Sequence, residues 1–280
     1  MSEESLKKED YVEPCCPFDT SQWKKEAPVK PIDIRRVVEK LDEYFYKGDM
    51  NGAMCHLQYW KEEAVLGNDR TGEFQVENEL MGLCRKLGKG EEAKSHATRA
   101  IELVGELGIG DNVGAATAFL NCGTVFRAFG ESERSIELFK KAESIYRAQL
   151  PEGDERFGGL YNNMALSESG LGMYEDAIRH DGMALSVMEG VSGGKANMAI
   201  TYLNMANLYE AWLGLEDALS KIDECVENAW NALNDPSLNH DGYYTFVCEK
   251  CYTTFLYYGY LEYGEEIQKR SEKNKEPLHA

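Results

Sequence analysis

The stretch RFGGLYNNMALSESGLGMYEDAIRHDGMALSVM, residues 156–188, decides the fold. Phe157, Leu160, Tyr161, Met164 and Ala165 recur at i, i+3, i+4, i+7 and i+8, which gathers them on one face of a helix. Gly172 interrupts that rhythm. Five residues later Ala177 stands where a second helical run begins, and a side chain this small lets two helices approach closely. The stretch predicts a hairpin of two helices joined at a glycine, and no strand-like alternation of period two competes with it.

Outward from this hairpin the same glycine returns as Gly48, Gly88, Gly130, Gly172, Gly214 and Gly259, at separations of 40, 42, 42, 42 and 45. Each is followed four or five residues on by a small residue: Ala53, Ala93, Ser135, Ala177, Ala218 and Gly264. A fixed period in this range means stacked units, none of which can bury its apolar face alone. Turn residues at Gly108–Asp111, Pro151–Asp154, Gly190–Gly194 and Asn234–Gly242 separate one hairpin from the next. Twelve helices are predicted, in a repeat array over residues 31–280. Residues 1–30, with Pro14, Pro17, Pro28, Cys15, Cys16 and Trp23, break helical periodicity and read as an extended or disordered arm.

Asn163-Met164-Ala165, Gly172, Tyr174-Glu175-Asp176-Ala177-Ile178 and Ala184-Leu185 resemble the tetratricopeptide pattern, and residues 121–142 and 204–218 repeat it. The unit is nearer 42 residues than the usual 34 or so. With Asn162-Asn163-Met164-Ala165 it is similar to the longer repeats of kinesin light chains and of bacterial peptide-sensing regulators. The resemblance spans residues 31–275. It implies an all-α, right-handed superhelical solenoid of about six helix hairpins, with the first helices lining a concave wall. The first repeat keeps Leu41, Tyr44, Gly48 and Ala53 but lacks the asparagine, and the last has Lys250 in its place, as expected of capping units.

Asn121 and Asn163 stand nine residues before their turn glycines, Asn78 and Asn204 ten before theirs. In the resembled families this asparagine faces the groove, where a carboxamide, both donor and acceptor, can pair with the backbone of an extended peptide. The alternative is that these side chains satisfy carbonyls within the stack. Arg85 and Arg127, each three before a turn glycine, can take a carboxylate from a ligand or pair with local glutamates. Near the C-terminus Tyr243, Tyr244, Tyr257 and Tyr258 belong to an aromatic-dense segment that reads either as a contact surface or as end-of-stack packing.

Formal charge is -19, from 49 acidic and 30 basic residues. Such a surface repels phosphate backbones and anionic membranes, so neither nucleic acid nor membrane is an expected partner, while a basic polypeptide would be attracted. The first residues have no apolar core and no stretch approaches the roughly 18 apolar residues of a membrane span, so a cytoplasmic location is expected. Eight cysteines scattered through helical patterns read as reduced and buried.

Catalytic signals are weak. Gly190-Val191-Ser192-Gly193-Gly194 matches a nucleophile elbow, but that motif needs a strand before it, and here two helices flank it. Gly82 to Lys89 has the wrong spacing for a phosphate loop. Cys248 and Cys251, with His240 near, lack the further ligands of a structural zinc, and none of the five histidines pairs at i, i+4. The expectation is a protein- or peptide-binding scaffold with no catalytic role, cofactor or metal. The alternatives are a peptide sensor acting through a separate output protein, or a homodimerising structural protein.

Overall fold

A computed structural model of the chain describes residues 29–273. The arm expected over residues 1–30 lies, but for its last two residues, outside the described residues. The described residues form two compact units, divided between Glu73 and Phe74.

In the first unit, α1 (Ile34–Tyr46) and α2 (Met50–Leu66) make one hairpin. Their starts are set by aspartates: Asp33 accepts from the amide of Arg36, and Asp49 from the amide of Gly52 at 2.8 Å. Each satisfies an N–H that the first helical turn leaves without a partner. Val37 and Leu41 on α1 and Ala53, Met54 and Leu57 on α2 are buried, and His56 bonds the Val37 carbonyl at 2.9 Å. The lead-in chain is fastened twice, by Lys30 N–H to the Gly67 carbonyl and by Ile32 N–H to the buried Asp69 carboxylate.

The second unit is built from α3 (Arg70–Lys86, from Phe74 onward), α4 (Gly90–Glu106), α5 (Val113–Ala128), α6 (Ser132–Gln149), α7 (Arg156–Gly170), α8 (Tyr174–Glu189), α9 (Gly194–Leu213), α10 (Leu215–Leu233), α11 (Gly242–Tyr257) and α12 (Leu261–Lys273). All twelve helices and all six turn glycines fall where the period puts them, and the described residues contain no strand. The turn chemistry explains the glycine. At Gly88, φ is +71°, and the next amide, Lys89 N–H, reaches back to the Cys84 carbonyl at 2.9 Å. This left-handed C-terminal cap satisfies an orphan carbonyl while reversing the chain, and it is a conformation that side chains with a Cβ resist. Five residues past the turn, Ala93, Ser135 and Ala177 are wholly buried where the two helices of a hairpin meet.

Between hairpins the seams are apolar and dense. Phe126, Phe139, Tyr146, Tyr244 and Phe255 are among the largest fully buried side chains, each contributing about 1.5–3 kcal/mol of transfer free energy. Buried hydroxyls pair both between and within hairpins: Ser135 on α6 meets Ser167 on α7 at 2.8 Å, and Tyr146 meets Thr117 inside the α5/α6 hairpin at 3.0 Å. Cys122, Cys225, Cys248 and Cys251 are buried free thiols, held protonated because burial disfavours the thiolate. No helix among the described residues is long and apolar enough to cross a membrane.

Candidate functional site

Helix contacts distinguish the faces of the second unit. Odd-numbered helices touch odd-numbered neighbours, α5 with α7, α7 with α9 and α9 with α11. Even-numbered helices instead pack on their own partner and on the following odd one, α4 on α5, α6 on α7 and α8 on α9. Helices α5, α7, α9 and α11 therefore make a continuous wall, which carries Asn121, Arg127, Asn163 and Asn204.

The wall is cross-linked by its own polar side chains. From α5 to α7, Thr124 donates to Asn163 Oδ1 at 3.4 Å. From α9 to α7, Asn204 donates to Asn162 Oδ1 at 3.0 Å. From α11 to α9 run three tyrosines: Tyr243 donates to Asn197, Tyr257 to Glu210 at 2.8 Å, and Tyr258 to Asn207 and Glu210, both at 2.9 Å.

The four asparagines singled out from the sequence occupy different situations. Asn78 and Asn163 each donate to the carbonyl one turn back, of Phe74 and Gly159, at 2.8 Å. Asn204 is spent on Asn162, and Asn121 is exposed. A carboxamide carries two N–H groups and an oxygen with two lone pairs. Asn163, with one bond on each side, keeps one donor and one acceptor site for a ligand. Asn162, which the sequence reading quoted for the family resemblance but did not count in the row, is the true equivalent of Asn204: the two lie 42 residues apart, each ten before its glycine. Strict counting of the period would have found it.

Arg85 on α3 is exposed and Arg127 on α5 is half-buried. Glutamate pairing, the alternative weighed for them, is not found: neither arginine has an ion pair or hydrogen bond with a described residue. Arg127 Nε is buried without a partner. Burial first, and then the charge of Arg85, work against the charged form of Arg127.

Of the four tyrosines, Tyr244 belongs to the core: it is 1% exposed, donates to the Leu233 carbonyl and accepts from Arg270 at 3.0 Å. It therefore offers no contact surface. Tyr243, Tyr257 and Tyr258 do reach the wall, with Tyr257 67% exposed. The segment Gly190–Gly194 joins α8 to α9, helix to helix. A cavity of about 800 Å³ beside the α10–α11 connection is lined by Leu233, Asn234, His240 and Arg270, away from the asparagine row.

Three histidines share a register the sequence reading missed. His56, His96 and His180 stand eight residues past Gly48, Gly88 and Gly172, and each bonds the first helix of its own hairpin, at Val37 O, Glu77 (2.5 Å) and Glu168 (2.6 Å). The common offset from the turn glycine was the available signal. Beside the last pair lies Asp181, 1% exposed, with Oδ1 unpartnered; burial, and then the Glu168 carboxylate, push its carboxyl up to about 8.

Residues 73–148 match the tetratricopeptide repeat family model. Among solved structures the chain is similar to BtubC (BKLC) from P. vanneervenii, with a TM-score of 0.54 and 16% identity over 81% of this chain and 91% of that one. It is also similar to a variant of nearly identical TPR-like repeats of kinesin light chain type from Podosopora anserina, with a TM-score of 0.50 and 12% identity over 72% of this chain and 93% of that one. At these identities the likeness is one of fold. No curated protein matches the chain.

Proposed function

We propose that this chain, which carries tetratricopeptide repeats, is a scaffold whose wall of odd-numbered helices holds an extended segment of another polypeptide. The observation that carries the reading is the asparagine row, where Asn121 is exposed and Asn163 retains an unused donor and acceptor. Backbone N–H and C=O groups of a peptide match such carboxamides whatever the peptide's side chains.

The test replaces Asn121, Asn163 and Asn204 by Ala together in the full chain. Partners are captured from the native cell with the unaltered protein, and each affinity is measured for both forms. Loss of about tenfold or more is expected from two or three lost hydrogen bonds. Equal affinity of the two forms for every captured partner rejects the reading.

A second reading has its own observation. Phe246 and Tyr257 on α11 and Leu261 on α12 are exposed, and apolar side chains grouped at the end of an array suit a second copy of the chain. Light scattering across a concentration series decides it; a monomer at the highest concentration removes it.

A further inference from the structure

We propose that the edge carrying Gly172 and Gly214, the turns of hairpins α7/α8 and α9/α10, docks an amphipathic helix of another protein whose apolar stripe is flanked by lysine or arginine. This surface is independent of the groove reading above.

The first argument is a break in the repeat. The residue after the turn glycine is Asp49, Lys89 and Glu131 in the first three hairpins, and Met173 and Leu215 in the next two. Asp49 caps its helix through its carboxylate, whereas Met173 stands at the N-cap of α8 and makes no side-chain bond there. Aspartate, asparagine, serine or threonine would hold that helix start better, so folding gives no reason for methionine. Nor does burial, since Met173, Trp212, Leu215 and Leu219 are between 39% and 53% exposed.

The second argument is contiguity. Tyr174 and Trp212 stack with ring centroids 6.1 Å apart, which joins the start of α8 to the end of α9. Leu215 follows Trp212 by three residues, so their Cα atoms are at most about 11 Å apart. Leu215 and Leu219 are one turn apart on the same face of α10. With Met173 beside Tyr174, these side chains make one exposed apolar surface, the kind that marks a contact site.

The third argument is charge, and it selects the occupant. Glu175, Glu216 and Asp217, in the first turns of α8 and α10, are exposed and have no ion pair with a described residue, while Asp176 is held by Arg179. Lysine or arginine flanking an apolar stripe meets these acids. A second copy of the chain would set its own acids against them in a two-fold contact, and anionic lipid would be repelled. An extended segment finds no partner among these apolar side chains for its backbone carbonyls, whereas a helix satisfies its own.

The experiment titrates two labelled synthetic helices into the full chain by fluorescence anisotropy. They share one apolar stripe and are flanked by lysines in one and glutamates in the other. Salt is about 0.15 M, where charges more than about 8 Å away are largely screened. The lysine-flanked helix should bind about tenfold more tightly, the scale of a few surface ion pairs. Leu215→Ser/Leu219→Ser should weaken that binding about tenfold, the scale of two half-exposed leucines returned to water. Glu175→Gln/Glu216→Gln/Asp217→Asn should narrow the preference for lysine about threefold. All these positions are exposed, and unchanged urea midpoints check the fold. Asn121→Ala/Asn163→Ala/Asn204→Ala should leave the binding intact; a loss there puts the helix in the groove and overturns the proposal. Equal binding of the two helices, or binding unmoved by the leucine variant, also overturns it. So does self-association of the unaltered chain, or its binding to phosphatidylcholine vesicles, that the leucine variant abolishes, because the occupant is then a second copy or a membrane.

Discussion

Hairpins α5/α6 and α11/α12 share a backbone plan and differ in how their wall side chains are used. On α11, Tyr243, Tyr257 and Tyr258 all donate to α9, while Tyr260 and Tyr263, at the start of the last hairpin's second helix, bond Asp223 and Glu227 on α10. Arg270 of α12 bonds Tyr244, Asn234 and Glu266. On α5, Asn121 is exposed and Arg127 holds nothing. The aromatic end is braced: burial first, and then the carboxylates they bond, hold Tyr258 and Tyr260 above the ordinary tyrosine range, and the bond to Glu210 raises Tyr257. The bonds still unmade lie on α5 and α7, where the proposed reading puts the contacts to a bound segment.

The largest predicted effect sits on the seam between these regions. Asp181 on α8 faces Glu168 and His180 within its own hairpin, and Tyr209 and Cys225 on α9 and α10. Its folded pKa, about 8, lies above the ordinary 3.8. Unfolded chains release that proton near pH 4 while the folded chain keeps it, so stability is greatest below the unfolded value and falls as pH rises towards 8. Between pH 5 and pH 7 the loss should be about 3 kcal/mol at roughly 1.4 kcal/mol per unit. Urea unfolding across that range should show the slope in the unaltered chain and a nearly flat profile in Asp181→Asn. Equal slopes would mean that the seam is not strained by this carboxyl.

Bracing itself is broken by Tyr258→Phe, which takes the shared hydroxyl from Asn207 and the half-buried Glu210. A hydrogen bond to a charged group is worth about 1.5–3 kcal/mol, and a loss near the lower figure is expected in urea unfolding because Tyr257 still reaches Glu210. Peptide binding at α5 and α7 should not change; a parallel loss of affinity would make the aromatic end part of the site.

The shared plan is sharpened by Gly130→Ala and Gly259→Ala. Both glycines have a φ of +84° and open space around the position of an added Cβ, so each substitution costs backbone strain alone, about 1–2 kcal/mol. Thermal unfolding should give the two variants matching losses despite their different surroundings.

These turns were the legible part of the molecule. A left-handed cap leaves few choices but glycine, and a close helix crossing leaves few but alanine, serine or glycine, so Gly88 with Ala93 or Gly172 with Ala177 declare a hairpin from sequence. The site was less legible because the same residue type serves two ends. Asn204 and Asn121 look alike on paper, yet one is consumed by Asn162 and the other is exposed, a distinction made by the neighbouring helix. Tyr244 and Tyr243 are adjacent on α11, yet one is buried in the core and the other is half-exposed and bonds Asn197 on α9. Pairing of Arg127 depended on whether any glutamate reached it, which spacing along one helix does not determine.

The smallest predicted difference separates used from unused asparagines. Asn204→Ala removes a half-buried bond and leaves Asn162 Oδ1 without its donor, for a loss of about 1 kcal/mol. Asn121→Ala removes an exposed side chain from a helix and should stay within about 0.5 kcal/mol of the unaltered chain, since alanine is the better helix former. Urea midpoints of the two variants, with their slopes checked to be unchanged, give the comparison directly. Equal losses would mean that Asn121 also braces the stack, and the carboxamide row would then be structural throughout. If only Asn204→Ala loses stability while Asn121→Ala weakens peptide binding, the same residue type serves as a brace at α9 and as a ligand contact at α5.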